Sequence, residues 1–64
     1  MIPAKFTVYF IALNNDEYAV TIYHMFENNA LKEAGEAFGP SLTKVVGYDL
    51  NGMPKVLWET KEPR

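Results

Sequence analysis

Apolar side chains recur at every second position near the start of the chain. Phe6, Val8 and Phe10 share one side of residues 5–13, and other residues alternate with them. A period of two residues predicts a β-strand. Residues 14–17, two asparagines followed by two acidic residues, predict the turn that ends this strand.

The stretch after the turn, residues 18–26, is again rich in β-branched and aromatic residues and predicts the second strand of a hairpin. For Val8 and Val20 to face the same side, the connecting loop must contain an odd number of residues, three or five. His24 is in phase with Val20. We therefore expect it to be a hydrogen-bonded, partly buried strand residue rather than a ligand or a base.

The period changes to that of an α-helix after residue 26, which predicts an amphipathic helix of about three turns. We expect Asn28 or Asn29 to cap its start. Gly39 and Pro40 are of the residue types that commonly follow the last turn of a helix, so we expect the helix to end there. The apolar positions with helical spacing are Ala30, Leu31, Ala34, Ala37 and Phe38.

A second hairpin is predicted around Asn51 and Gly52, because a type I′ turn requires positive φ at both central residues and this pair adopts it readily. A two-residue loop of this type would pair Val46 with Leu57. The core face of the hairpin would then consist of Val45, Gly47, Val56 and Trp58.

These elements predict an α+β single domain of order ββαββ, with a four-stranded antiparallel sheet and one helix packed on one face. The domain is expected to span residues 1–64, with residues 1–4 and 61–64 frayed. Pro54 lacks an N–H group, so the fourth strand is expected at an edge of the sheet, with the missing donor directed outward.

One face of such a sheet stays uncovered by the helix, and on the predicted registers it carries more apolar surface than a small monomer usually exposes. We interpret this face as a partner-binding surface, because buried aromatic residues usually dominate interface energies. Two glutamates on the outer side of the helix would contribute to binding of the same partner. The residues predicted to bind a partner are Tyr9, Ile11, Tyr23, Met25, Tyr48, Leu57, Glu33 and Glu36.

Composition narrows the function classes. The chain has 64 residues, of which 48% are hydrophobic, and this is too apolar for a disordered segment. The longest apolar stretch is too short to span a bilayer and no signal peptide is recognisable, so we expect a cytoplasmic protein without a membrane partner. The net charge of -2 disfavours nucleic acid as a partner.

No catalytic chemistry is recognisable. The chain has no cysteine and one histidine, which leaves no ordinary zinc site and no disulfide. Ser41 stands beside Pro40 without a glycine-rich elbow or a basic partner, so no nucleophile is indicated. The glycines form no phosphate-binding motif. We therefore predict a protein that is not an enzyme and needs no cofactor or metal.

An apolar strand–helix–strand pattern runs through residues 18–23, Ala30, Leu31, Ala34, Phe38, Pro40 and Val45. It resembles the core of the RNA polymerase inhibitors of T-odd coliphages over about half of the chain. The ββαββ order, closed by a hairpin at Asn51 and Gly52, also resembles small anti-CRISPR proteins. Both resemblances imply a small phage-encoded inhibitor in the host cytoplasm that binds a host protein complex, either RNA polymerase or a CRISPR–Cas effector.

The sequence thus predicts a non-enzymatic inhibitor that blocks a host complex through its open sheet face. Two alternatives stay open. One is a module for single-stranded nucleic acid that stacks bases on the tyrosines and places Lys5, Lys44 and Lys55 near phosphates. The other is a homodimeric structural subunit that buries the face permanently, and strand addition at the fourth strand offers a further route to self-association.

Overall fold

The computed structural model describes residues 3–60. Their elements are β1 (Ala4–Ile11), β2 (Glu17–His24), α1 (Glu27–Phe38), a 3₁₀ turn (Gly39–Ser41), β3 (Leu42–Tyr48) and β4 (Pro54–Glu59). The strands form one sheet in the order β2-β1-β3-β4, and all neighbours are antiparallel. The predicted α+β class and ββαββ order are confirmed, and β4 lies at an edge.

The core lies between α1 and one face of the sheet. Val8 and Val45, on the two central strands, are fully buried. Ala30 and Ala34 face them from the helix and are also buried, because their small side chains let the helix approach closely. Partly buried apolar side chains surround this centre: Ile22, Leu31, Phe38 and Leu57. Ala37, in contrast to the prediction, is exposed.

The first hairpin closes with a three-residue loop. The Ala12 N–H donates to the Asp16 carbonyl at 2.9 Å, and the Asn15 N–H donates to the Ala12 carbonyl at 2.9 Å. Asn15 takes the left-handed conformation with φ 72°, as the last residue of such a loop requires. The predicted odd loop length is confirmed, and Val8 pairs with Val20.

The second hairpin uses the same kind of loop, so the predicted type I′ turn is wrong. The Asp49 N–H donates to the Met53 carbonyl at 3.0 Å. Gly52 has φ 82°, whereas Asn51 is not among the described residues with positive φ. The physical reason is the Asp49 carboxylate, which accepts the N–H groups of Asn51 at 2.8 Å and of Met53 at 2.9 Å. These bonds hold a three-residue loop.

The three-residue loop shifts the pairing of β3 with β4 by one residue next to the loop. A bulge in β4 removes this shift, so the pairing beyond the bulge is the predicted one. Lys44 pairs with Glu59 as predicted, but Val46 pairs with Val56, and Leu57 is the extra residue between them. The side chains of residues 54–57 are consequently on the opposite sides of β4 from the prediction, whereas Trp58 pairs with Val45 as predicted. Val56 lies on the uncovered face and is 53% exposed.

Leu57 packs on the helix side of the sheet, over Gly47. A Cβ atom placed on Gly47 would stand 3.2 Å from Leu57 Cδ1 and 3.4 Å from Phe6 Cε2. The absence of a side chain at Gly47 therefore lets Leu57 reach the core. The prediction that Leu57 belongs to the open face is wrong, because the bulge turns it inward.

The start of α1 also differs from the prediction. Phe26 is the N-cap residue, and no side chain caps the helix. The expected capping by Asn28 or Asn29 is wrong, since both residues lie inside the helix. The end is as predicted: Gly39 is the C-cap, and its N–H donates to the Gly35 carbonyl.

The ends of the domain are described only in part. Ala4 is the first residue of β1 and pairs with His24, and the fraying of residues 1–4 stays a prediction. The same prediction for residues 1, 2 and 61–64 lies outside the described residues.

Candidate functional site

The sheet face opposite α1 is called the open face, because α1 packs on the other side. The pairing registers place side chains from all four strands on it. Its residues include Lys5, Thr7, Tyr9 and Ile11 of β1, Ala19, Thr21 and Tyr23 of β2, Lys44, Val46 and Tyr48 of β3, and Val56 and Glu59 of β4. The three predicted tyrosines are thus brought to one surface.

Two lysine–tyrosine pairs cross the centre of the open face, between β1 and β3. Tyr9 is paired with Lys44, and the Lys44 Nζ stands 4.7 Å from the centre of the Tyr9 ring. Lys5 Nζ stands at the same distance over the ring of Tyr48. A cation over an aromatic face contributes about 0.5–1 kcal/mol at an exposed site. The pairs therefore order four long side chains before any partner arrives.

A hydrogen bond fixes Tyr48 further. Its hydroxyl is bonded to Thr7 Oγ1 at 2.8 Å, across the two central strands. Val46 pairs with Thr7 and is only 6% exposed, because the flanking side chains cover it. The centre of the open face is consequently a preformed layer of tyrosine, lysine and threonine groups rather than bare apolar surface.

Exposed apolar surface lies on the two flanks of the open face. Tyr23, on β2, is 62% exposed, and Val56, on β4, is 53% exposed. Both side chains project beside the ordered lysine–tyrosine pairs. Such an arrangement, apolar groups around fixed polar and charged ones, suits a macromolecular surface better than a small molecule.

Charge is distributed unevenly between the two sides of the molecule. Lys5 and Lys44 stand on the open face, whereas Glu27, Glu33 and Glu36 belong to α1 on the other side. The acidic group nearest to the lysines in the register is Glu59, opposite Lys44. A chain with net charge -2 thus presents two lysines next to aromatic rings on its sheet face, with one carboxylate, that of Glu59, at the edge.

Met25 is not on the open face as predicted. β2 ends at His24, so the alternation of side chains does not extend to the next residue. Met25 lines a shallow depression on the helix side together with Phe6 and Leu57. Ile11, in contrast, is in phase with Tyr9 at the end of β1, on the side of the open face, and lines a depression next to Pro40.

The two helix glutamates differ from each other. Glu33 accepts a hydrogen bond from His24 Nε2, so it tethers α1 to β2 instead of pointing freely to solvent. Its side chain is 50% exposed and that of His24 is 27% exposed. The predicted role of His24 as a hydrogen-bonded, partly buried strand residue is confirmed. Glu36 is exposed.

Sequence reasoning missed a groove between α1 and β4. It has a volume of about 320 Å³, and its walls are Leu31, Gly35, Gly39, Leu42 and Trp58. Trp58 is 42% exposed there although it was predicted in the core. Trp58 pairs with Val45 on the helix side as predicted, but β4 is an edge strand, so only part of the indole is covered.

No group of three or more histidine, cysteine, aspartate or glutamate side chains within residues 3–60 could hold a metal ion. Over the same residues, no helix is long and apolar enough to cross a membrane.

Comparisons with protein-family models, with curated proteins and with solved structures each find no match to this chain. The chemistry of its surfaces is therefore the basis for a functional proposal.

Proposed function

We propose that this protein is a small non-enzymatic domain that binds a larger protein assembly through its open face and blocks the surface that it covers. The observation that carries the proposal is the pair of lysine–tyrosine contacts, Lys5 over Tyr48 and Lys44 over Tyr9. They hold anchors in place in the free protein, and preorganised side chains lose less conformational entropy on binding.

The charge of these contacts suggests the chemistry of the partner. Each ammonium group uses one side for the tyrosine ring and keeps donors for a carboxylate. The partner surface that fits is therefore acidic at its centre and apolar at its margins, where Tyr23 and Val56 project. The sequence resemblance implies a host complex, either RNA polymerase or a CRISPR–Cas effector, and we propose that the partner presents such an acidic surface.

Single-stranded nucleic acid fits this surface less well. Lys5 and Lys44 stand over the faces of two tyrosine rings, which are the faces on which a base would stack. Lys55 pairs with Gly47 and lines the depression beside Leu57 on the helix side, so it cannot join the other two lysines. Two lysines provide few phosphate contacts.

The test compares the binding of variants to the assembly that the wild-type protein retains from bacterial lysate. Tyr23→Ala removes an exposed anchor, and Lys5→Glu with Lys44→Glu reverses the charge of the centre. Loss of an anchor of about 2 kcal/mol would weaken affinity roughly thirtyfold. Phe26→Ala is the matched control, because Phe26 is an equally exposed aromatic residue, 65%, at the start of α1.

The proposal predicts that Tyr23→Ala and the double lysine variant lose the assembly while Phe26→Ala retains it. Equal retention by all variants would show that the open face does not bind. Retention of nucleic acid, with an affinity that falls steeply as salt rises, would instead support a nucleic-acid module.

A further inference from the structure

The two edges of the sheet are built differently. β4 carries several features that prevent another strand from pairing with it: Pro54 lacks a donor, Leu57 forms a bulge, and Lys55 and Glu59 bring charges. Proteins protect exposed edges with such features. The strand-addition route predicted for β4 is therefore poorly supported by its structure.

β2, the opposite edge, has neither a proline nor a bulge. It is eight residues long, contains no proline and pairs with β1 without a register shift. Its two ionisable ends are already engaged within the molecule. The Glu17 carboxylate accepts a hydrogen bond from Thr43 Oγ1 at 3.1 Å, and His24 is bonded to Glu33.

The hydrogen bonding of the first hairpin shows which main-chain groups of β2 are free. Because Ala12 and Asp16 form a hydrogen-bonded pair at the loop, such pairs recur at every second residue along β2. The N–H and C=O groups of Ala19 and Thr21, with those of Glu17 and Tyr23, consequently point outward from the sheet.

We propose that β2 pairs with β2 of a second copy of this chain, antiparallel about a two-fold axis at Val20. This register aligns free main-chain groups with free main-chain groups: Ala19 faces Thr21 of the second copy, and Glu17 faces Tyr23 of the second copy. No two like charges are opposed. The residue pairs on one side of the axis are repeated on the other side, as a symmetric dimer requires.

The side chains on the helix side of β2 favour the same arrangement. Val20 is 38% exposed and Tyr18 is 46% exposed, both beside the free edge. In the dimer Val20 meets Val20 of the second copy, and Tyr18 meets Ile22 of the second copy. Cross-strand pairs of aromatic and β-branched residues are the favourable ones.

This inference goes beyond the proposed function and does not depend on it. A two-fold axis perpendicular to the sheet leaves both helices on one side. The two open faces then form one continuous surface across eight strands, and a partner that presents two sites would be bound bivalently.

The test uses charge at the axis. Val20→Lys and Val20→Glu each place like charges opposite one another, and we expect either variant to raise the dimer dissociation constant roughly tenfold or more. An equimolar mixture of the two variants should restore dimers, because opposite charges then meet. Val56→Lys is the matched control, since Val56 is an exposed valine on the other edge strand.

Sedimentation equilibrium over increasing concentration measures the outcome, and circular dichroism verifies the fold of each variant. A measurement on the unmodified protein serves if the variants do not fold: amide exchange at Ala19 and Thr21 should slow as concentration rises. Wild-type protein that stays monomeric at about millimolar concentration, or exchange independent of concentration, would overturn the proposal. A monomer whose β2 amides become protected only with another protein would show that the edge accepts a foreign strand instead.

Discussion

Replacement of Leu57 by alanine tests the bulge in β4, which decides what lies on each side of this strand. If the side chain were on the open face, its loss would affect a binding surface and leave stability almost unchanged. Leu57 instead contacts the position above Gly47 and packs against the core. We therefore expect Leu57→Ala to destabilise the fold.

The magnitude follows from the atoms removed. Leucine to alanine deletes about three methylene-sized groups, each contributing about 0.8 kcal/mol when fully buried. Because Leu57 is only partly buried, we expect a loss of about 1.5–2 kcal/mol. The total free energy of unfolding of a domain this small is only about 5 kcal/mol, so the loss is a large fraction of it.

Urea unfolding followed by circular dichroism measures this effect. With a slope of about 1 kcal/mol per molar urea, the midpoint should fall by about 1.5–2 M. Val56→Ala is the control, since Val56 is adjacent in sequence but projects from the open face with 53% of its surface exposed. We expect it to cost at most about 0.5 kcal/mol.

A reversed order of the two effects would refute this reasoning. If Val56→Ala lowered the midpoint more than Leu57→Ala, β4 would follow the regular register of a two-residue loop. The assignment of Leu57 to the helix side would then be wrong as well, whereas Trp58 pairs with Val45 in either register.

Two further substitutions test single positions. Gly35→Ala should stabilise the protein by about 0.5–1 kcal/mol, because the glycine lies inside α1 and an added Cβ atom meets no atom within 4 Å; a lower thermal midpoint would contradict this. Tyr48→Phe removes the hydrogen bond to Thr7 while keeping the ring beneath Lys5, and should cost about 0.5–1.5 kcal/mol in urea unfolding. In a double-mutant cycle with Thr7→Val the two losses should not add, and strict additivity would show that the hydroxyls do not interact.

The fold could be predicted because its determinants are local. Alternation in residues 5–13 and the helical spacing of Ala30 and Ala34 specify element types without reference to the rest of the chain. Asn51 and Gly52 correctly indicated a hairpin. They fit two loop types, however, and the choice depended on the Asp49 carboxylate, whose bonds exist only in the folded loop.

The candidate site was predictable only in part for a related reason. The three tyrosines follow from alternation within strands, so their common face could be inferred. Their pairing with Lys5 and Lys44 depends on β1 lying beside β3, a neighbour relation between distant parts of the chain. The positions of Met25 and Leu57 were wrong because a strand end and a bulge each interrupt the alternation that the prediction extended.

The central position of β1 and β3 has a consequence for how the protein folds. The two hairpins pair with each other through β1 and β3, for instance where Tyr9 pairs with Lys44, so this contact closes a long loop. Contacts of large sequence separation slow folding, because the entropy of loop closure is lost before the contact forms. Until β3 has left the ribosome, the core side chains of the first hairpin, such as Phe6 and Val8, stay exposed to solvent. During this interval the nascent chain is most exposed to aggregation or to a chaperone.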